Sequence, residues 1–194
     1  MARELLMAID PGNAKSAGRV CYAAQFLDGE LDLLRLFDRH SARDWVEHAG
    51  AGPDVVVIEK PQMDGRSRKV PPRVLIDLSW NGALVAGALN PDNLVALTPS
   101  AWKGSVSKAP HHLRIWRTLN QHERLVVAAS EGLTRKKPQL LTTDDVYAVL
   151  RGAAEHHVRT GNTTKHAFYD LLDAVGLGLR YLGRIGGGTG KAAA

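Results

Sequence analysis

Two apolar runs in the sequence end in an acid. Leu5 to Ile9 is a continuous apolar stretch stopped by Asp10-Pro11-Gly12, and Val55 to Ile58 leads directly into Glu59. Two more acids, Asp170 and Asp173, lie three residues apart within a segment made apolar by Phe168, Tyr169, Leu171, Leu172, Val175, Leu177, Leu179 and Leu182. Residues at that spacing share one face of a helix, so this pair can address a single site. No lysine or arginine occurs between His166 and Leu179. Burying an ionised carboxylate costs on the order of several kcal/mol unless something positive pairs with it. A cluster of carboxylates without cationic partners is expected to hold a hard divalent cation such as Mg²⁺, with Mn²⁺ able to substitute, because these ions take oxygen ligands. Two ions about 4 Å apart would activate a water and stabilise a leaving oxygen in phosphodiester hydrolysis. One aspartate alone would more often be a helix cap or a surface charge. The joint placement of Asp10, Glu59, Asp170 and Asp173 is what points to metal chemistry.

Those acids need elements to position them. Leu5 to Ile9 is too short for a helix and is bounded by turn residues, so it is expected as a buried strand. Arg19 to Leu27 and Leu31 to Phe37 flank Asp28-Gly29, a hairpin signal, which gives three antiparallel strands in succession. Ser41 is expected to cap a helix running to about Ala49, and the β-branched run Val55 to Ile58 reads as a strand buried on both faces. Pro71-Pro72 opens a helix with Val74, Leu75, Leu78, Leu84, Val85 and Leu89 at helical spacing, ended by Asn90-Pro91. Leu94 to Leu97 is a fifth strand. Helices are expected over about His112 to Ala129, from Thr143 to about Arg159, and from Lys165 to Arg184, with a disordered Gly-rich tail at 185–194. The fold class expected is α/β: a mixed five-stranded sheet, three antiparallel strands then two parallel ones, flanked by helices.

A chain of 194 residues fits one domain, here 1–184 with an extra helical segment at about 131–165. No apolar run approaches the ~18 residues of a membrane span, no secretory signal is visible, and Cys21 stands alone, which excludes a disulfide framework and a cysteine zinc site. A cytoplasmic location is expected. The formal net charge of +5 favours a polyanionic partner. Lys60, Arg66, Arg68, Lys69 and Arg73 crowd the loop after Glu59 and are candidate phosphate contacts. His166, four residues before Asp170, is a candidate support for the acids, although a helix-start histidine is the commoner reading. His111-His112 and His156-His157 lack metal-ligand spacing and read as surface. Trp45, Trp80, Trp102 and Trp116 read as core.

The segments Met7-Ala8-Ile9-Asp10-Pro11-Gly12, Val57-Ile58-Glu59-Lys60-Pro61-Gln62 and Asp170-Leu171-Leu172-Asp173-Ala174-Val175-Gly176-Leu177 resemble the three acidic motifs of RuvC-type Holliday junction resolvases. The resemblance extends from Leu5 to about Leu182 and implies a divergent, phage-type member with an RNase H-like fold. It further implies that Asp10, Glu59, Asp170 and Asp173 bind two Mg²⁺ ions, and that a homodimer nicks four-way DNA junctions in pairs. Thr98-Pro99-Ser100-Ala101-Trp102-Lys103 resembles the segment after the fifth strand, which makes Lys103, with Lys108 or Arg114 beside it, a candidate DNA contact. Where the family carries an aromatic that enters the junction, this chain has Met63, which packs without a ring's stacking specificity.

Three other readings compete with a DNA endonuclease. A nucleotide-binding protein of the sugar-kinase and actin type shares the Asp10-Pro11-Gly12 turn but needs a second related domain and leaves Asp170 and Asp173 without a role. A silent nucleic-acid-binding module of the same fold would have no need of four acids. A nuclease on RNA or RNA–DNA hybrids uses the same acids and is the nearest alternative.

Overall fold

A computed structural model of the chain describes residues 3–11, 21–62, 71–130, 142–150 and 162–186. Five strands, β1 (Leu5–Asp10), β2 (Cys21–Leu27), β3 (Glu30–Phe37), β4 (Val55–Glu59) and β5 (Asn93–Leu97), form one sheet in the order β3-β2-β1-β4-β5. β1 pairs antiparallel with β2 and parallel with β4, β2 pairs antiparallel with β3, and β4 pairs parallel with β5. This is the mixed five-stranded sheet, three antiparallel strands then two parallel ones, expected from the sequence. Asp28 and Gly29 both have positive φ, at 52° and 83°, the backbone that a two-residue hairpin demands.

Sheet periodicity decides where the acids go. Side chains alternate faces along a strand, and Ile9 sits opposite Ile58 across the parallel pair. Met7, Ile9, Val56 and Ile58 join one apolar layer, while Leu6, Ala8, Val55 and Val57 join the other. The next residues, Asp10 and Glu59, therefore leave adjacent strands at the same end and on the face of Ala8 and Val57.

Helices α1 (Arg39–Ala49) and α2 (Pro72–Leu89) cover the Ile9 face. The Ala8 face is covered by α4 (Lys108–Thr118), α5 (Gln121–Ala129), α6 (Thr143–Leu150) and α7 (Asn162–Tyr181), with the single-turn α3 (Pro99–Trp102) leading into α4. α7 is buried continuously from Leu171 to Leu179. It lies so close to β2 that a Cβ on Gly178 would come within 2.1 Å of Phe26 Cε2, which only glycine avoids.

Several boundaries differ from those read in the sequence, each for a local reason. Asp38, not Ser41, caps α1: its carboxylate accepts from Ser41 N at 2.8 Å while Ser41 Oγ accepts from Asp38 N at 3.0 Å, a reciprocal capping box. The helix expected over His112–Ala129 is two helices, because Leu119 turns extended and Asn120 caps α5 through a second capping box with Glu123. α7 ends at Tyr181, and Gly183 follows with φ 70°. Ile185, expected in the loose tail, is buried. Trp80, expected in the core, is 64% exposed on α2, next to Ile76 at 67%. The rest of the tail, 187–194, lies outside the described residues, as do 131–141 and 151–161, within which His156-His157 and the end of the expected Thr143–Arg159 helix fall.

Glu123 is a buried anchor that the sequence reading missed. Besides capping α5, it accepts from Leu31 N at 2.9 Å and from Arg184 Nη2 at 2.6 Å, with Arg184 Nη1 on its other oxygen. Burial pushes its carboxyl up, but the bonds from Arg184, Leu31 and Asn120 outweigh that and hold it below the usual glutamate range. Its contribution is thus present in full above the ordinary value of 4.5 and lost as pH falls through the depressed one. E123A is expected to cost about 3 kcal/mol, since it breaks a buried pair while Arg184 can still reach water. Urea unfolding at pH 7 measures this, and the gap to wild type should shrink as pH drops below 4.5.

Candidate metal centre

Asp10, Asp170 and Asp173 converge where the end of β1 meets α7. One carboxylate oxygen from each lies within 4.8 Å of the others. Asp170 and Asp173 reach the site together because they are three apart on α7, with Leu171, Leu172, Ala174 and Val175 buried around them. Pro11 fixes the chain after Asp10: Asn81 Nδ2 on α2 donates to its carbonyl at 3.3 Å, and a Cβ on Gly82 would stand 3.1 Å from its ring. α2 thus clamps the strand end from the opposite face.

The acids are not without cationic partners, as their sequence neighbourhood implied. The cations come from α3 and α4 instead. Lys108 Nζ lies 3.0 Å from Asp173 Oδ2 and 3.4 Å from Asp170 Oδ1, and Lys103 Nζ lies 3.6 Å from Glu59 Oε2. Glu59 ends β4, the strand beside that of Asp10, but does not share the point on which the three aspartates converge. Its Oε2 accepts from Trp102 Nε1 at 2.8 Å.

His111 and His112 are fully buried, which corrects their reading as surface residues. They start a helix that carries Ile115 and Trp116 into the same core, and proximity in sequence to a polar loop concealed this. His112 Nε2 lies 2.8 Å from Asp173 Oδ1, and its ring stacks on Tyr169 with centroids 4.9 Å apart. His111 packs edge-on to Trp102, also at 4.9 Å. Burial, then the neighbouring His112, pushes the His111 imidazole down to about 4, so it is neutral near pH 7.

The field of the site is negative at heart. Burial raises the Asp173 carboxyl, but the His112 hydrogen bond and the charges of Lys108 and Lys103 outweigh it, lowering the group to about 2. Lys108 is raised above its usual range because Asp173 and Asp170 outweigh its desolvation. Tyr22, across from Asp10 in the register, is pushed up to about 12 by burial and by Asp170 and Asp10. Cys21 is raised by burial and by Asp10, so it is a buried thiol and no nucleophile.

The donor set suits a hard cation. Three carboxylates offer only oxygen, and their spacing lets one ion touch all three. A soft-metal site would need thiolate or a histidine aimed inward, and His112 is already engaged with Asp173.

The expected DNA contacts are scattered in what the structure places. Lys103 and Lys108 stand beside the acids. Lys60, just after β4, and Arg73, in the first turn of α2, are exposed, and Arg114 is half-buried, with its Nη2 3.7 Å from where a Cβ on Gly186 would sit. Met63, Arg66, Arg68 and Lys69 lie outside the described residues. His166 falls within α7, but its side chain lies outside the description too.

No protein-family model matches the sequence, and no curated protein does. Among solved structures the chain is similar to Thermus thermophilus RuvC, at 12% identity and a TM-score of 0.44 over 91% of this chain and 92% of that one. It is similar as well to T. thermophilus RuvC in complex with Holliday junction substrate, at 11% identity and a TM-score of 0.41 over 92% of each chain.

The Lys108 pairing has a measurable consequence. Its side chain is half-exposed, so solvent screens the pair and its worth is about 1 kcal/mol at most. K108M should lower the melting temperature of the metal-free protein by about 2–4 °C in low salt, with a smaller difference at high salt. A salt-independent difference would mean that packing of the lysine stem, not its charge, is what was lost.

Proposed function

We propose that the chain is a divalent-metal-dependent endonuclease acting on branched DNA, with Asp10, Glu59, Asp170 and Asp173 as the acids that hold the metal. The observation that carries this reading is the convergence of Asp10, Asp170 and Asp173 on one point at the end of the sheet. Mg²⁺ bound there, as two ions, would activate a water and stabilise the departing oxygen of a phosphodiester. The chain's own residues do the rest. Asp10 and Glu59 are fixed by adjacent parallel strands, and α7 fixes Asp170 and Asp173 against the core, so the ligands need no rearrangement to assemble. Lys103 and Lys108 stand at the acids and can turn to a phosphate once a metal takes over the carboxylates. Lys60, Arg66, Arg68, Lys69 and Arg73, with Met63 among them in sequence, supply the positive charge this reading assigns to DNA, and Arg114 adds to it from α4.

Branched DNA as the substrate is supported by the resemblance of the three acidic segments to RuvC-type resolvases and by that basic stretch of sequence. A four-way junction has two-fold symmetry and needs two cuts, which a homodimer supplies. The surface we assign to the dimer is the exposed side of α2, where Leu75, Ile76, Ser79, Trp80 and Ala83 with Pro61 and Pro72 line an apolar groove of about 450 Å³. An apolar stripe on a surface helix is the common form of a self-complementary interface.

Incubation of the protein with a synthetic four-way junction, a linear duplex and an RNA–DNA hybrid in Mg²⁺ or Mn²⁺ tests the activity. Cleavage should favour the junction. No cleavage of it would sink the proposal, and cleavage of the hybrid alone would select a ribonuclease of the same fold. D10N should bind the junction with wild-type affinity yet fail to cut it, because the substitution removes a metal ligand and leaves the basic surface. For the dimer, W80D should convert the species seen by analytical ultracentrifugation into a monomer; an unchanged sedimentation coefficient would move the interface elsewhere.

A further inference from the structure

The segment from α3 through α4 treats two of the acids alike. Glu59 Oε2 receives Trp102 Nε1–H at 2.8 Å and stands 3.6 Å from Lys103 Nζ. Asp173 receives His112 Nε2 on Oδ1 at 2.8 Å and Lys108 Nζ on Oδ2 at 3.0 Å. In each case a fully buried ring and a more exposed lysine, only one to four residues away in sequence, meet the same carboxylate.

The two kinds of partner differ physically. An ionised carboxylate only accepts, so the His112 nitrogen facing Asp173 must carry the proton. His112 Nδ1 is buried with no hydrogen-bond partner among the described residues, so within them the ring is hydrogen-bonded through Nε2 alone. The ring cannot turn away, because Tyr169 stacks on it at an interplanar angle of 20° and Trp102 and His111 close the layer behind. Trp102 is held in turn by α7, where a Cβ on Gly176 would come within 2.7 Å of its ring. Lys108, by contrast, ends a flexible stem that is half-exposed. A cation arriving at Asp170 and Asp173 competes with that ammonium and leaves the ring donor in place.

We propose that His112 and Trp102 are positioning residues that orient Asp173 and Glu59 for a divalent cation, each fixing one carboxylate oxygen through a ring N–H. The inference rests on the reading of these acids as metal ligands. Packed ring donors suit this role, because a ring that cannot turn sets the direction of the carboxylate it meets. Both donors come from the α3–α4 segment, which packs against the elements that carry the acids.

Mn²⁺ binding to the full chain without DNA, followed by the loss of the free-ion electron paramagnetic resonance signal, tests the inference on wild type, D173N, H112F, H112Q and W102F. Circular dichroism and melting temperature establish that each variant folds. Wild type should bind and D173N should bind far more weakly. H112F keeps the ring but not the donor and should weaken Mn²⁺ binding by about 10–100-fold, the usual loss when a ligand's supporting hydrogen bond is removed. H112Q, whose amide can donate, should recover most of that loss, which a purely structural role would not produce. W102F should weaken binding in the same direction. Folded H112F and W102F that both bind as wild type would overturn the inference, as would H112Q binding no better than H112F. If H112F does not fold, W102F decides, and wild-type affinity in it is the overturning result. Absence of Mn²⁺ binding to wild type, or undiminished binding to D173N, would instead overturn the metal assignment on which the inference stands.

Discussion

Mutual repulsion among carboxylates held at the edge of an apolar core is the constraint on which the rest of this structure depends. Asp10, Asp170 and Asp173 bring ligand oxygens within 4.8 Å of one another, and Glu59 stands on the next strand. Water would separate such charges cheaply. Here they are fixed on a central strand and on a helix buried from Leu171 to Leu179, so they cannot disperse without unfolding the elements that carry them. The surrounding features offset that repulsion: Lys108 bridging two aspartates, Lys103 on Glu59, and the ring N–H groups of Trp102 and His112.

The core that tolerates this strain is built by close approach. Gly178 lets α7 sit against Phe26, Gly176 admits Trp102 and Ile115, and Gly82 admits Ile58 and Pro11 from the opposite face. Gly178 and Gly82 bring a helix nearer to the sheet than a side chain would allow, and Gly176 does the same between α7 and the α3–α4 segment. The far end of the sheet is stabilised separately by Glu123, which ties α5, β3 and Arg184 into one buried hydrogen-bonded unit. Concentrating destabilising charge at one place and dense packing elsewhere is the usual arrangement of a functional site on a rigid scaffold.

Much of this was legible in the sequence because it follows from period and punctuation. The apolar runs stopped by Asp10 and Glu59 gave the two central strands, Asp28-Gly29 gave the hairpin, and the spacing of Asp170 and Asp173 gave a shared helical face. The missing parts depend on contacts between distant segments. The absence of lysine and arginine near Asp173 in sequence was real, yet Lys108 arrives from α4, 62 residues before Asp170. His111-His112 read as surface residues at the start of an expected helix, and only the packing of α4 against α7 shows them as buried. Asn120 broke an expected single helix because a capping box with Glu123 outweighed continuous apolar spacing. Trp80 sat at a helical position that the pattern could not assign to a face, and it lies outside the core on a helix whose inner side is already filled by Asn81, Gly82, Val85 and Leu89.

The account stands or falls on whether those acids hold a metal. A crystal of the protein soaked in Mn²⁺ and measured at a wavelength where manganese scatters anomalously would answer directly. The account predicts a strong anomalous peak within coordinating distance of Asp10, Asp170 and Asp173, with the Lys108 ammonium drawn off Asp173. A Mn²⁺-saturated crystal with no peak there, and Lys108 still bridging Asp170 and Asp173, would contradict it.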